Sequence, residues 1–219
     1  MSDTPNKPPR SRPASAYQDR ARHLLAVLRS DFGLPRDSRV VIAVAGESGS
    51  GKSVTAIDLA AELNASGITT AIIHQDNYFV RPPRTNHEYR KQDITSVGPL
   101  EVQMDLIREQ VRAFRAAEIV MAPVVDYAGN RFVTQPLDFT VTDVLVVEGT
   151  YALLLGGADI GIFLQATYKD TDGRRRARNR DIFDPFVDDV LAIEHRLIAP
   201  QADVADILLD RDFVISKRM

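Results

Sequence analysis

The hydrophobic positions follow two different patterns along the chain. In some segments apolar residues recur at helical spacing, which predicts amphipathic helices. These segments are 17–32, 52–65, about 99–117 and 186–199. Elsewhere apolar residues form continuous runs of strand length, as is typical of parallel strands buried on both faces. These runs are 39–45, 143–149 and 160–166, and the more polar segment 68–74 also predicts a strand. Strands and helices that alternate in this way predict an α/β protein.

Three further segments give weaker patterns. Residues 80–97 contain two prolines, several charges and no clear period, so we expect a functional loop there. Residues 119–125 resemble a short strand broken by Pro123. Residues 205–215 predict one or two short terminal strands. We find no internal repeat and no linker that would divide the chain.

Composition narrows the class of protein. The chain has 219 residues, of which 44% are hydrophobic and 26% charged, an ordinary composition for one globular domain. The absence of cysteine excludes disulfides, thiolate metal sites and cysteine nucleophiles. The proline-rich residues 1–15 predict a disordered tail, and 16–219 a single domain.

Charge and hydropathy also shape the expected partners and location. A net charge of −3 offers no basic field for nucleic acid. No apolar run approaches the roughly 20 residues of a membrane helix, and the start of the chain lacks a signal-peptide core. We therefore expect a cytoplasmic protein with no nucleic-acid or membrane partner. The sequence is compatible with a homo-oligomer but does not indicate one.

A glycine-rich loop, GESGSGKS at 46–53, joins the first predicted strand to the second helix. It matches the pattern G-x-x-x-x-G-K-[ST], in which backbone N–H groups and a helix N-terminus surround phosphate oxygens. Lys52 can reach the β- and γ-phosphates, and the Ser53 hydroxyl can bind Mg²⁺. The alternative is a flexible loop that matches by chance. The predicted nucleotide-binding residues are Gly46, Glu47, Ser48, Gly49, Ser50, Gly51, Lys52, Ser53 and Val54.

Two acidic residues end later strands, where an α/β sheet binds its ligands. Glu148 ends the run 143–149 and is a candidate Mg²⁺ ligand, with a solvent-exposed acid as the alternative. Asp76 follows the run 68–74 and is a candidate general base and a further metal ligand, with a turn aspartate as the alternative. The guanine-reading pattern Asn-Lys-x-Asp is absent from the chain, which counts against a GTPase switch.

An arginine-rich segment, 174-RRRARNRD-181, predicts a short basic helix. Such a helix could close over the phosphates as a lid at about 170–185 and stabilise charge in the transition state. The alternatives are a solvated basic face or a patch for nucleic acid.

The motifs GESGSGKS, HQDNYF, PVVDYAGNR and VLVVEGTYAL, followed by the arginine-rich helix, resemble the uridine kinase and phosphoribulokinase family of P-loop kinases. The resemblance covers about residues 40–210. It implies a three-layer α/β/α fold with a mostly parallel five-stranded sheet and a small helical lid. It also implies transfer of phosphate from ATP with Mg²⁺ to a hydroxyl of a small molecule. The catalytic residues implied by the resemblance are Lys52, Asp76, Arg176 and Arg180.

The acceptor stays open because the chain departs from the family in one stretch. Val125 and Asn130 stand where uridine kinases place a tyrosine and a histidine, and Asp93 falls near their ribose-binding aspartate. The candidate substrate-binding residues are Asp93, Asp126, Tyr127 and Arg131. Besides a nucleoside, a sugar phosphate, a polyol or a vitamin precursor fits the sequence. A nucleotide-binding regulatory ATPase without a small-molecule acceptor is the alternative of another class.

Overall fold

A computed structural model describes residues 14–36, 38–173 and 185–218 of the protein. Of the tail expected at 1–15, residues 1–13 lie outside the described residues, and residues 14 and 15 belong to the first helix. Most of the expected lid, including Arg176 and Arg180, also lies outside the described residues.

The four helices predicted from apolar spacing are present, with one addition; the predicted basic helix at 174–181 lies outside the described residues. The helices are α1 (Ala14–Phe32), α2 (Lys52–Ala65), α3 (Pro83–Gln92), α4 (Met104–Arg115) and α5 (Pro185–Ile198). Short 3₁₀ helices lie at Gln75–Tyr78, Ile94–Ser96, Pro99–Glu101, Ala152–Leu155 and Ala199–Val204. No helix in the described part of the chain combines the length and hydropathy needed to span a membrane.

The main sheet has six strands where five were predicted. In chain order the strands are β1 (Val40–Gly46), β2 (Thr70–His74), β3 (Ile119–Asp126), β4 (Arg131–Asp138), β5 (Val144–Glu148), β6 (Ile160–Leu164), β7 (Ile207–Leu209) and β8 (Ile215–Lys217). The main sheet runs in the order β2-β5-β1-β6-β7-β8. Its first five strands are parallel, and β8 adds an antiparallel edge because the terminal segment turns back on β7.

The core lies on both faces of this sheet. Ile42 and Val44 of β1 belong to a buried cluster that includes the leucines of α1 and α2. Val41 and Ala43 point to the other face, where Phe114 of α4 is also fully buried. Alternate residues of a strand point to opposite faces, so a sheet covered on both sides requires apolar residues at every position. This three-layer α/β/α arrangement confirms the predicted fold class.

The prediction that residues 80–97 form a loop without regular secondary structure is wrong. Most of it forms α3, followed by the 3₁₀ helix Ile94–Ser96. Pro83 fits the first turn of a helix, where its missing N–H costs no hydrogen bond. The helical period was hidden because Asn86 is the one buried residue of α3.

The strand predicted as broken at Pro123 is also different from expectation. Strand β3 runs through Pro123 and pairs with β4 in an antiparallel hairpin, separate from the main sheet. Proline is tolerated in such an edge strand when its nitrogen points away from the partner. The sequence did not predict β4, because most of its side chains are exposed and no apolar run marks it.

Candidate active site

The phosphate loop lies where β1 ends and α2 begins, as the sequence predicted. Gly46 and Gly51 have φ values of 153° and 106°, which side chains rarely adopt. A Cβ on Gly46 would lie 2.8 Å from Ser50 Oγ and 2.9 Å from the Leu164 carbonyl oxygen. The loop therefore needs glycine there for both conformation and space.

The loop has the features of an anion site. The hydroxyl of Ser50 is buried and has no hydrogen-bond partner among the described residues. Helix α2 begins at Lys52 without a side-chain cap, so its N-terminal N–H groups and positive dipole end remain available to a ligand. The Lys52 side chain is itself largely buried. These donors fit a phosphate group.

Glu148 joins the phosphate loop to the end of β5. Its Oε2 accepts a hydrogen bond from Ser53 Oγ at 3.1 Å, and its Oε1 lies 2.7 Å from His74 Nδ1. Burial would raise the pKa of Glu148, but the hydrogen bond with His74 and the charge of Lys52 outweigh it, so the pKa lies below its usual range. The same hydrogen bond raises the pKa of His74. These contacts favour the ionised form of Glu148.

Ser53 and Glu148 together offer oxygen ligands of the kind that Mg²⁺ prefers. Mg²⁺ in kinases takes one or two protein ligands and completes its shell with substrate phosphates and water. The donor set fits that pattern. A larger cage is not available, since the described residues contain no group of three or more acidic or histidine side chains that could hold a metal.

Asp76 lies at the same edge of the sheet as Glu148. It belongs to the 3₁₀ helix that follows β2, and the last residue of β2, His74, is in register with Glu148. Both neighbours of Asp76 are anchored. Gln75 Nε2 donates to Thr150 Oγ1 at 3.1 Å, and Asn77 Oδ1 accepts from the Val125 N–H at 3.0 Å. Neither anchor had a signal in the sequence.

The hairpin β3–β4 is docked against the segment that carries Asp76. The Tyr78 hydroxyl donates to Gln110, whose Nε2 donates to the Met121 carbonyl oxygen. At the hairpin turn, Asn130 Oδ1 accepts from the Arg84 N–H at 2.9 Å. Asn130 Nδ2 donates to Thr85 Oγ1 at 2.9 Å. Asn130 therefore joins the hairpin to α3.

Three of the predicted substrate residues, Asp93, Asp126 and Arg131, have local partners. Asp126 Oδ2 lies 3.0 Å from Arg131 Nε, and Asp126 Oδ1 accepts from the Gly129 N–H. Asp93 caps a 3₁₀ helix by accepting from the Thr95 N–H at 3.0 Å. The side chain of Tyr127 is exposed. Substrate contact by Asp93, Asp126, Tyr127 and Arg131 stays a prediction.

Glu47 of the phosphate loop makes contacts that the sequence did not indicate. Its buried carboxylate accepts from the Tyr168 N–H at 2.6 Å and lies 2.6 Å from His195 Nδ1 on α5. Nearby, Thr171 Oγ1 donates to the Ser48 carbonyl oxygen at 3.0 Å. Through these bonds the phosphate loop holds both the segment after β6 and helix α5.

Comparison with known proteins agrees with this architecture. The model of the phosphoribulokinase / uridine kinase family matches residues 41–184. Uridine kinase of Ureaplasma urealyticum is 26% identical over 170 residues, covering 76% of this chain and 81% of that protein. The bifunctional alpha-galactosidase/sucrose kinase AgaSK of Mediterraneibacter gnavus is 27% identical over 191 residues, covering 80% of this chain and 20% of that protein.

A solved structure shows the same fold. Phosphoribulokinase from Rhodobacter spheroides superposes with a TM-score of 0.61 at 14% sequence identity, covering 80% of this chain and 71% of that one. The matched family segment begins in β1 and contains the phosphate loop, Asp76 and Glu148. The chain belongs to the phosphoribulokinase / uridine kinase family of P-loop kinases.

Proposed function

We propose that this protein transfers the γ-phosphate of ATP to a hydroxyl group of a small molecule, as a kinase similar to the nucleoside kinases. The observation that carries the proposal is the hydrogen bond between Ser53 of the phosphate loop and Glu148, with Asp76 following the neighbouring strand. This arrangement supports a phosphate site, a candidate metal-binding carboxylate and a candidate base along one edge of the sheet.

Each group has a role in that reaction. Lys52 and the N-terminus of α2 bind the phosphates. Asp76 accepts the proton of the acceptor hydroxyl as its oxygen attacks the γ-phosphorus, and the bond to the β–γ bridging oxygen breaks to release ADP. Ser53 and Glu148 would hold Mg²⁺, which neutralises charge on the phosphates when it is bound. Arg176 and Arg180 stay candidates for the same purpose.

The acceptor is a small hydroxyl compound in this proposal. The relatives named above are a uridine kinase and a bifunctional alpha-galactosidase/sucrose kinase, and both uridine and sucrose carry hydroxyl groups. A nucleoside is the first acceptor to test. Sugar phosphates, polyols and vitamin precursors form the rest of the panel.

The deciding experiment measures ATP consumption with each member of that panel. Asp76→Asn should lower turnover by about 10²- to 10⁴-fold while ATP binding stays near normal, because only proton removal is lost. Asp105→Asn is the matched control, since Asp105 is a highly exposed aspartate on α4 paired with Arg108. Near-normal turnover of Asp76→Asn would contradict its role as base. If ATP is hydrolysed slowly and no acceptor changes the rate, the result would instead favour a regulatory ATPase.

A further inference from the structure

A buried group of ionic side chains lies beside the candidate site and has no part in the mechanism above. We call Arg90, Glu101 and Glu194 the arginine–glutamate cluster. Arg90 Nε lies 2.7 Å from Glu101 Oε1, and Arg90 Nη2 lies 3.0 Å from Glu194 Oε1. The cluster joins α3, the 3₁₀ helix Pro99–Glu101 and α5.

Two buried polar atoms near this cluster have no hydrogen-bond partner among the described residues. They are Tyr151 Oη and Asn86 Oδ1. Tyr151 is fully buried, and the charges of Glu194, Arg90 and Glu101 all act on its hydroxyl. Asn86 is also buried, and its Nδ2 donates to Glu101 Oε1 at 2.8 Å. Buried polar groups are nearly always hydrogen-bonded, so this concentration of exceptions indicates a place where a polar ligand binds.

The cluster has links both to the segment of the candidate base and to the phosphate loop. The backbone N–H of Tyr151 donates to the side chain of Gln75, the residue before Asp76. On the other side, the charge of Lys52 acts on Glu194. The side chains of Arg90 and Glu194 keep 15% and 12% of their surface exposed, so the cluster reaches solvent.

The charges and donors favour one class of ligand. One guanidinium faces two carboxylates, and both Nε and Nη2 of Arg90 already donate to them. A phosphate group would therefore meet carboxylates here, which repel it. A hydroxyl group both donates and accepts hydrogen bonds, so it suits the mixture of Tyr151 Oη, the Glu194 carboxylate and Asn86 Oδ1.

We propose that Tyr151, Glu194 and Asn86 form a subsite that binds the hydroxyl groups of an uncharged acceptor. The shared chemistry is that of a free sugar, a polyol or the sugar part of a nucleoside. The inference rests on the proposed kinase function and selects among its acceptors by excluding those that already carry phosphate.

The test uses Tyr151→Phe in the full chain, which removes one oxygen atom and no hydrogen bond within the described structure. The melting temperature should stay equal or rise, because an unpaired buried hydroxyl is lost. The KM for the acceptor should rise about tenfold, the effect of one lost hydrogen bond, while the KM for ATP stays unchanged. Tyr89→Phe on α3 is the matched control. It should change neither KM, because phenylalanine keeps the ring that contacts the Arg81 guanidinium.

Glu194→Gln provides a second variant that keeps the shape of the side chain. It should also raise the acceptor KM and leave the ATP KM unchanged. An unchanged acceptor KM in both variants would overturn the subsite, as would a large fall in melting temperature for Tyr151→Phe.

The acceptor panel separates this inference from the proposed function. Free sugars, polyols, nucleosides and sugar phosphates are each supplied with ATP at equal concentration. Turnover of any uncharged member, with the predicted KM changes, supports the subsite and identifies the source of the hydroxyls. Turnover of sugar phosphates alone overturns the subsite but leaves the kinase function standing. A panel in which no acceptor stimulates ATP consumption overturns both.

Discussion

Gly149 follows β5 and packs closely against Gln75, the residue before Asp76. A Cβ built at Gly149 would lie 2.3 Å from Gln75 Cβ and 2.4 Å from Gln75 Oε1. Gly149 does not have a positive φ, so its replacement by alanine tests space alone. Gln75 is fully buried and directly precedes Asp76, so any shift of Gln75 moves the candidate base.

The expected cost of Gly149→Ala can be estimated from these distances. Carbon atoms in contact prefer a separation of about 3.5–4.0 Å, so Gln75 must move by roughly 1 Å or more. Overpacking of this kind costs about 1–3 kcal/mol. Each of the Gln75 hydrogen bonds to Thr150 and Tyr151 adds about 1 kcal/mol if it breaks. We therefore expect the free energy of unfolding to fall by about 2–4 kcal/mol, and turnover by about 10²-fold because Asp76 is misplaced.

Denaturant unfolding measures the first quantity, and steady-state kinetics at a temperature where the variant stays folded measures the second. Gly161→Ala on β6 is the control, because its Cβ would meet the flexible end of Leu153 at 2.7 Å. It should lower stability by about 1 kcal/mol or less, since that side chain can rotate away, and leave turnover unchanged. A Gly149→Ala protein with wild-type stability and turnover would refute the steric argument.

Two further predictions follow from the charged groups of the site and the hairpin. Glu148→Gln should raise the Mg²⁺ concentration for half-maximal turnover by about 10- to 100-fold, because an amide is a weaker ligand than a carboxylate; a metal titration at fixed ATP measures it. The hydrogen bond from Gly129 and then the Arg131 guanidinium lower the pKa of Asp126, so the stabilising effect of its charge is present above its ordinary pKa and is lost as the pH falls through the lowered value. Arg131→Gln should move that pKa back upward in a carboxyl NMR titration; an unmoved pKa would show that the backbone hydrogen bonds alone set it.

The sequence predicted those parts of the fold in which burial imposes a pattern. Strands β1, β5 and β6 are buried at every position because both faces of the sheet are covered, and their nearly continuous apolar sequences made them easy to recognise. The phosphate loop was recognisable because its glycines and Lys52 have fixed spacing. Asp76 and Glu148 were placed correctly at the sheet edge because the carboxyl ends of parallel strands share it.

The parts that were missed lack such a pattern. Helix α3 and strand β4 are mostly exposed, so their sequences show neither helical nor strand periodicity. The arginine–glutamate cluster unites residues from α3, the 3₁₀ helix before α4, and α5. No local motif marks such a group, since its members meet only after folding. The same is true of the contact between Glu47 and His195.

The separation of the β3–β4 hairpin from the main sheet has a consequence for how this protein can diverge. The groups assigned to phosphate transfer belong to the sheet edge and its glycine loop. The hairpin, helix α3 and helix α5 lie outside the strands of the main sheet. The hairpin contacts Asn77 and helix α5 contacts Glu47, both beside that edge. Substitutions in these outer elements therefore leave the backbone ladder of the main sheet intact. We expect related proteins to differ in their acceptors through substitutions in the hairpin, α3 and α5. The phosphate loop and the residues that end the strands should stay the same.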